Sequence, residues 1–396
     1  MDTPFFDLPA APRITVLSWP TRVVVGAGAL KRLADEVQRL GMRRPLVVTD
    51  AGVMKAGLGD RVIAVLGEGG IVHVLFDRVT PDPTEPDVFS GLEAYRTGGC
   101  DGIIALGGGS PLDAAKLVQL LTSHAPPLSQ YDDATGGDRF VTHPLPPLIA
   151  IPTTAGTGSE VSRSGVAFLE DTQRKTVIFA PQLLPRAAIV DPELTYGLPP
   201  RATAATGLDA FTHCLEAYLS NGFHPLADAV AIDGIRRVAR SLPVVMEKPT
   251  HPQARLDMMI AAMQGAMAFQ KGLGNAHALA HALTPVAGLH HGLANAVVLP
   301  AVMAFNRGEC KARLARVALA MGEPSGAVED VLAGVAIDRV RRLVADVGLP
   351  TRLSHAGVKE PDLPRIAELA FRDASHQGNP RRTTEADLLA IARAAF

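Results

Sequence analysis

Nine of the twelve histidines fall after residue 198, and four of them, His277, His281, His290 and His291, lie between Gly274 and Gly292. Upstream, Asp209 and His213 stand four residues apart in GLDAFTHCLEAY. On a helix that spacing places two side chains on one face, one turn apart; His277 and His281 share it. One carboxylate with several imidazoles is a donor set for Fe2+ or Zn2+. A lone histidine on an apolar helix is more often a packed or surface residue. Four in fifteen residues, with an Asp/His pair elsewhere, point instead to a metal centre. His291 cannot share an ion with His277 along one straight helix, because fourteen residues at ~1.5 Å rise put them roughly 21 Å apart. Pro285 and Gly288 offer the break that lets the chain turn back, and spacing leaves His290 and His291 equally eligible.

A second chemistry is written in the first half. Gly107-Gly108-Gly109-Ser110 follows the apolar run GIIAL and opens PLDAAK. Glycines let the backbone approach a ligand, Ser110 is an expected N-cap and Pro111 an expected first helical residue. A helix start behind such a turn is an anion site suited to a pyrophosphate. It is neither GxGxxG nor a Walker A loop. PTTAGTGSE, with Thr153 and Thr154, follows another apolar run, LIAI, where open parallel sheets bind ligands. Asp50 directly follows PLVVT; a carboxylate there can accept from ribose hydroxyls and would repel a 2′-phosphate, which favours NAD over NADP. The alternative for Asp50 is a helix N-cap.

These residues need two kinds of scaffold. Up to about residue 197, β-branched runs alternate with helical stretches. Strands are expected at 14–17, 23–25, 45–49, 71–76, 102–106 and 148–151, and helices at 29–40, 88–97 and 111–122. Near-continuous apolar strands between helices indicate a parallel sheet covered on both faces, a Rossmann-like α/β domain. From residue 198 the chain reads as all helix, with periodic segments at 207–219, 225–241, 254–269, 313–321 and 327–347. The expected division is therefore 1–197 for dinucleotide binding and 198–396 for metal binding and catalysis, with Pro199-Pro200 at the break.

The chain of 396 residues is long enough for both. Its formal net charge of -2, from 38 basic and 40 acidic residues, argues against a nucleic-acid partner. The three cysteines show no paired or zinc-type spacing, which fits a reducing cytoplasm. MDTPFFDLPAAPR lacks the basic and apolar regions of a signal peptide. The longest stretch free of Asp, Glu, Lys and Arg, 272–306, holds four histidines and Pro285 and reads poorly as a membrane helix.

In combination, GGGSPLDAAK, IPTTAGTGSEVS, AAIVDPELTYGLPPRATAATGLDAFTHCLEAY, HALAHALTPVAGLHHGLANAVVLP and the late Asn379-Pro380-Arg381 resemble the iron-containing, group III alcohol dehydrogenases over essentially the whole chain. The resemblance implies a dehydroquinate synthase-like architecture, NAD and Fe2+ (or Zn2+) as cofactors, a small alcohol or aldehyde as substrate, and a homodimer. It assigns Asp209, His213, His277 and His291 as metal ligands, preferring His291 because it directly precedes Gly292. Asp50, Gly107, Gly108, Gly109, Ser110, Thr153, Thr154, Ser162 and Lys175 match dinucleotide contacts. Asp82 stands where many members have Asn, and Ser162 where many have Thr. His281 matches a histidine near the nicotinamide, and its near-neutral pKa suits a relay for the alcohol proton. MQGAMAFQKGLG with GLHHG resembles the 4-hydroxybutyrate dehydrogenase-like branch, in which Lys271 or Arg163 would pair with a substrate carboxylate. A hydroxyacid–oxoacid transhydrogenase and a dehydroquinate synthase-like lyase are the neighbouring readings.

Overall fold

A computed structural model describes residues 15–19 and 21–396, so Ile14 and the MDTPFFDLPAAPR stretch lie outside the described residues. Two compact units result. One comprises the residues up to Thr153 with Arg163–Gly197 and Thr250–Leu256; the other comprises Thr154–Ser162, Leu198–Pro249 and Asp257–Phe396.

The first unit is built on strands β1 (Thr15–Trp19), β2 (Thr21–Val25), β3 (Pro45–Val48), β4 (Val74–Phe76), β5 (Gly102–Gly107), β6 (Leu148–Pro152) and β9 (Ala187–Val190), in the order β1-β2-β9-β6-β5-β3-β4. Every pairing is parallel except β1 with β2. A separate antiparallel hairpin joins β7 (Ser164–Leu169) to β8 (Arg174–Phe179). Helices α1 (Leu33–Arg39), α2 (Ala51–Lys55), α3 (Leu58–Glu68), α4 (Glu85–Thr97) and α5 (Gly109–Leu121) complete it.

The sheet interior explains the apolar runs. Leu46, Val48, Ile103, Ala105, Leu148 and Ala150 face one buried cluster, while the alternate residues Val47, Ile104, Leu106, Ile149 and Ile151 face another. Both faces are covered, so neither set can be polar. The core order β4-β3-β5-β6-β9 is the flavodoxin-like 2-1-3-4-5 arrangement, whose switch point lies between β3 and β5. Asp50 and the Gly107–Ser110 turn sit at the carboxyl ends of those two strands.

Three local expectations change. The strand expected at 71–76 shrinks to Val74–Phe76, because Ile71 N–H bonds the Leu66 carbonyl (2.9 Å) in closing α3 after Gly70 at φ +66°. Helix α5 starts at Gly109 with Gly108 as its N-cap, so Ser110 is not the cap; its hydroxyl instead accepts from Asp82 N–H at 3.3 Å. Residues 29–40 divide into a 3-10 turn, Ala29–Arg32, and α1.

His124 ties this unit to pH. Its Nε2 accepts from the backbone N–H groups of Thr142 (3.0 Å) and His143 (3.1 Å), and Nδ1 meets the Leu120 carbonyl at 3.2 Å. Burial lowers its pKa from 6.5, with His143 adding to the shift and the Leu120 bond opposing it. Below pH 6.5 the unfolded chain therefore binds the proton first, and stability falls as acid is added. His124→Gln is expected to flatten that acid limb by up to about one proton, read from urea unfolding between pH 7 and 5. An unchanged slope would assign the proton elsewhere.

The second unit is helical: α6 (Pro200–Leu219), α7 (Pro225–Glu247), α8 (Pro252–Ala268, of which residues from Asp257 belong here), α9 (Asn275–Ala287), α10 (His291–Ala320), α11 (Glu329–Asp346), α12 (Leu363–Arg372) and α13 (Glu385–Ala395). Pro199-Pro200 begins α6 rather than merely interrupting the chain, because proline suits the first helical position. The segment expected at 313–321 is the end of α10, which bends at Cys310 (φ −135°, ψ 30°). No helix among the described residues is long and apolar enough to cross a membrane.

Candidate metal centre and dinucleotide loops

Helix α6 carries Asp209, His213 and Glu216 at i, i+4 and i+7, one stripe of its surface. Helix α9 carries His277 and His281 and is capped by Gly288 (φ +66°), and three residues after that cap α10 opens with His291. Gly292 makes this junction sterically possible: a Cβ there would lie 2.3 Å from the Ala205 carbonyl oxygen and 3.2 Å from Asp209 Cβ. The turn brings ligating atoms of Asp209, His213, His277 and His291 within 4.8 Å of one another. His290 is exposed at the N-cap position of α10, outside that group.

The electrostatics suit a cation. Burial alone would raise the Asp209 carboxyl, but the His213, His291 and His277 imidazoles and the Asn295 amide bring it down to about 2. Burial pushes His213 down to about 4, so its ring is neutral at pH 7 and offers a lone pair. That lone pair has no protein partner: His213 Nδ1 is buried and unbonded, while the ring also bonds the Gly156 backbone. His277 turns Nδ1 to Glu216 Oε2 (2.7 Å), which leaves Nε2 for the cluster. Asn295, four residues after His291, donates from Nδ2 to Asp209 Oδ1 (2.9 Å) and lies 3.2 Å from His291 Nε2 and 3.4 Å from His277 Nε2. An ionised carboxylate and three imidazoles, one of them with an orphaned buried nitrogen, fit a divalent iron or zinc ion.

His281 stands beside the cluster. Its ring stacks on His291 (5.1 Å between centroids, 17° between planes), and its Nδ1 lies 2.8 Å from Asp373 Oδ2. Burial works against the Asp373 charge, yet His281 and the bonds from His281 and Ser375 hold this carboxyl far below the usual carboxylate range. Asp373 thus fixes the His281 ring with Nε2 free of that contact.

Sequence reasoning missed Glu216, Asn295 and Asp373. Glu216 was legible as the next residue on the Asp209–His213 stripe, and Asn295 as one turn beyond His291. Asp373 lies 92 residues from His281, and nothing local marks it.

At the sheet, Gly107 pairs with Pro152, and Thr153 N–H bonds the Gly107 carbonyl at 2.9 Å, so the two loops emerge side by side. Gly107 has φ +145°, and a Cβ there would lie 2.7 Å from Pro111 Cγ. Asp50 is the N-cap of α2, accepting from Val53 N–H at 2.9 Å through Oδ1. Lys175 Nζ pairs with Asp82 Oδ1 at 2.6 Å, and Asp82 in turn contacts Ser110. Thr154 and Ser162 bound a segment that clusters with the helical unit, where Gly156 lies against Thr206 and Gly158 against Ala262. The Arg163 guanidinium lies 5.1 Å over the Phe179 ring.

Lys271 departs from expectation. Its ammonium is fully buried, bonded to the Tyr218 carbonyl (3.0 Å) and Asp228 Oδ1 (2.5 Å), and Arg313 completes the ion cluster at Asp228 Oδ2 (3.0 Å). Its charge is met inside the helical unit by Asp228. Lys271→Met is accordingly expected to cost about 2–3 kcal/mol of stability, while leaving unchanged the kcat/KM ratio of a carboxylated to a neutral aldehyde. Loss of activity on the carboxylated aldehyde alone, with stability intact, would restore the substrate role.

Comparison with known proteins matches residues 20–192 to the iron-containing alcohol dehydrogenase family and residues 203–396 to the C-terminal domain of the same family. The chain belongs to the iron-containing alcohol dehydrogenases. It is 43% identical over 376 residues to a 4-hydroxybutyrate dehydrogenase of Cupriavidus necator, covering 93% of this chain and 96% of that one. A crystal structure of 1,3-propanediol oxidoreductase superposes with a TM-score of 0.92 at 39% identity, covering 97% and 99%. A sulfoacetaldehyde reductase of Bifidobacterium kashiwanohense, solved in complex with NAD+, gives 0.84 at 27% identity, covering 95% and 97%. This iron-type alcohol dehydrogenase is thus an oxidoreductase of alcohols and aldehydes with the α/β-plus-helical architecture of its family.

Proposed function

We propose that this dehydrogenase is NAD(H)-linked and interconverts a small primary alcohol and its aldehyde, with 4-hydroxybutyrate and succinate semialdehyde as the leading pair. The convergence of Asp209, His213, His277 and His291 within 4.8 Å carries the metal-dependent part of this reading. The name of the 43% identical relative supports the substrate class. Those four side chains would hold the ion. Asp50, Gly107 to Ser110, Thr153, Thr154, Ser162 and Lys175 would hold the dinucleotide, and Arg163 is retained as the cation for a substrate carboxylate. Residues 1–197 are read as the dinucleotide-binding part and 198–396 as the metal-binding and catalytic part of a cytoplasmic homodimer; the three free cysteines suit a reducing compartment.

When bound, the ion polarises the alcohol or carbonyl oxygen and NAD carries the hydride. The chain's own contribution is positioning and proton handling. Glu216 and Asn295 orient His277 and Asp209. His281, with Nδ1 engaged by Asp373, takes or returns the alcohol proton at Nε2.

The test is a panel of straight-chain alcohols and ω-hydroxy acids with NAD+, after reconstitution with Fe2+ or Zn2+, followed by NADH absorbance. The highest kcat/KM is expected on a short ω-hydroxy acid in the metal-loaded protein. No net reduction of added NAD+ with any alcohol would overturn the reading and favour a transhydrogenase.

A further inference from the structure

One buried carboxylate does two jobs in the helical unit. Glu216, 5% exposed, receives N–H bonds from Gly274 (3.1 Å) and His277 (3.2 Å) at Oε2 and from Ala276 (2.7 Å) at Oε1. These are amides of the first turn of α9, whose N-cap residue, Gly274, has no side chain to satisfy them. The same Oε2 takes His277 Nδ1 at 2.7 Å. Among the described residues no lysine or arginine forms an ion pair with Glu216, and the His277 ring is its side-chain partner. Its charge is met by the positive end of a helix and by one imidazole. A Cβ at 274 would lie 2.8 Å from Glu216 Oε1 and 3.0 Å from Asn379 Oδ1, so a larger residue there would displace the carboxylate.

Resting on the metal-centre reading above, we propose that Glu216 is a positioning residue that sets the His277 tautomer and thereby links metal loading to the seating of the first turn of α9. An acceptor at Nδ1 forces the ring proton onto that nitrogen, so the Nε2 lone pair faces Asp209 and His291. Withdrawal of electrons from Nε2 by a cation makes Nδ1–H a stronger donor to the carboxylate. The same oxygen also holds the backbone N–H groups of Gly274 and His277, so tightening one bond draws on the others. Helix α6 therefore carries two metal ligands and the clamp on a third.

Glu216→Gln keeps the size but has an acceptor at one end only. Either its amide N–H2 faces His277 Nδ1 and moves the ring proton to Nε2, or it faces the Ala276 N–H and opens the first turn of α9. The expected result is a 10–100-fold weaker Kd for Zn2+ or Co2+, measured by chelator competition. In the wild type, metal should slow hydrogen exchange at the 274–277 amides; in Glu216→Gln that protection should be lost. The 15N shifts of His277 in the metal-free proteins report the tautomer directly. A variant with lower thermal stability but an unchanged metal Kd and an unchanged His277 tautomer would overturn the proposal, leaving Glu216 as a helix cap. Failure of the wild type to bind one ion per chain would instead sink the metal-centre reading itself, so the two failures are distinguishable.

Discussion

Asp209→Ala is expected to empty the metal centre and lower turnover by at least about 10³-fold, equivalent to about 4 kcal/mol of transition-state stabilisation. Asp209 is the one anionic member of the four-residue cluster, and the other three are neutral-capable imidazoles. It is 3% exposed, so water cannot replace it freely, and its carboxyl is held ionised down to about pH 2 by the surrounding rings and the Asn295 amide. Removing it takes away a permanent negative charge and leaves the Asn295 Nδ2 donor, already close to two imidazole nitrogens, without its carboxylate acceptor. Metal content by elemental analysis and steady-state turnover with NAD+ should fall together. Full metal occupancy with more than about a tenth of wild-type activity would mean that the ion is gripped elsewhere.

What the sequence disclosed and what it withheld follow from the range of the forces involved. Most of the parallel-sheet strands were readable because burial on both faces demands apolar residues at consecutive positions, as in Ile103 and Ile104, whereas the four-residue β9 (Ala187–Val190) was not read as strand. The hairpin at 164–179 was not read as strand. It alternates buried and exposed positions and carries Arg174, Lys175 and Gln173, the last at φ +52°, so its composition resembles a loop. The Asp209–His213 and His277–His281 spacings announced two helix faces, since helical period is a local property. Choosing His291 over exposed His290 needed the family resemblance; the structure adds the reason, namely that α10 starts at His291. The buried setting of Lys271 was not legible for a different cause. Its partners, Tyr218, Asp228 and Arg313, lie more than forty residues away in sequence or belong to other helices, and no local pattern encodes a buried ion cluster. Glu216 was overlooked although its spacing was visible, because a carboxylate on a helix is ordinarily a solvated one.

The second large effect is expected at His281. Truncation to Ala should lower kcat by about 10²–10⁴-fold, the range for loss of a positioned general acid–base, while metal content stays near wild type. The geometry motivates the separation: His281 is 30% exposed and stacks on His291 but is not one of the four converging ligands. Asp373→Asn should give a smaller loss, about 10–100-fold, because its amide can keep the contact with His281 but not the negative charge of the carboxylate. Asp373 is ionised throughout the working range, its carboxyl being held far below the ordinary value of 3.8, so it adds no titration of its own. A change in the kcat–pH profile of Asp373→Asn would therefore report on His281. The matched pair of variants separates the roles. If His281→Ala loses metal and turnover in equal measure, the residue only braces His291. If Asp373→Asn leaves both the rate and its pH profile untouched, the proton passes by a route that does not use this dyad.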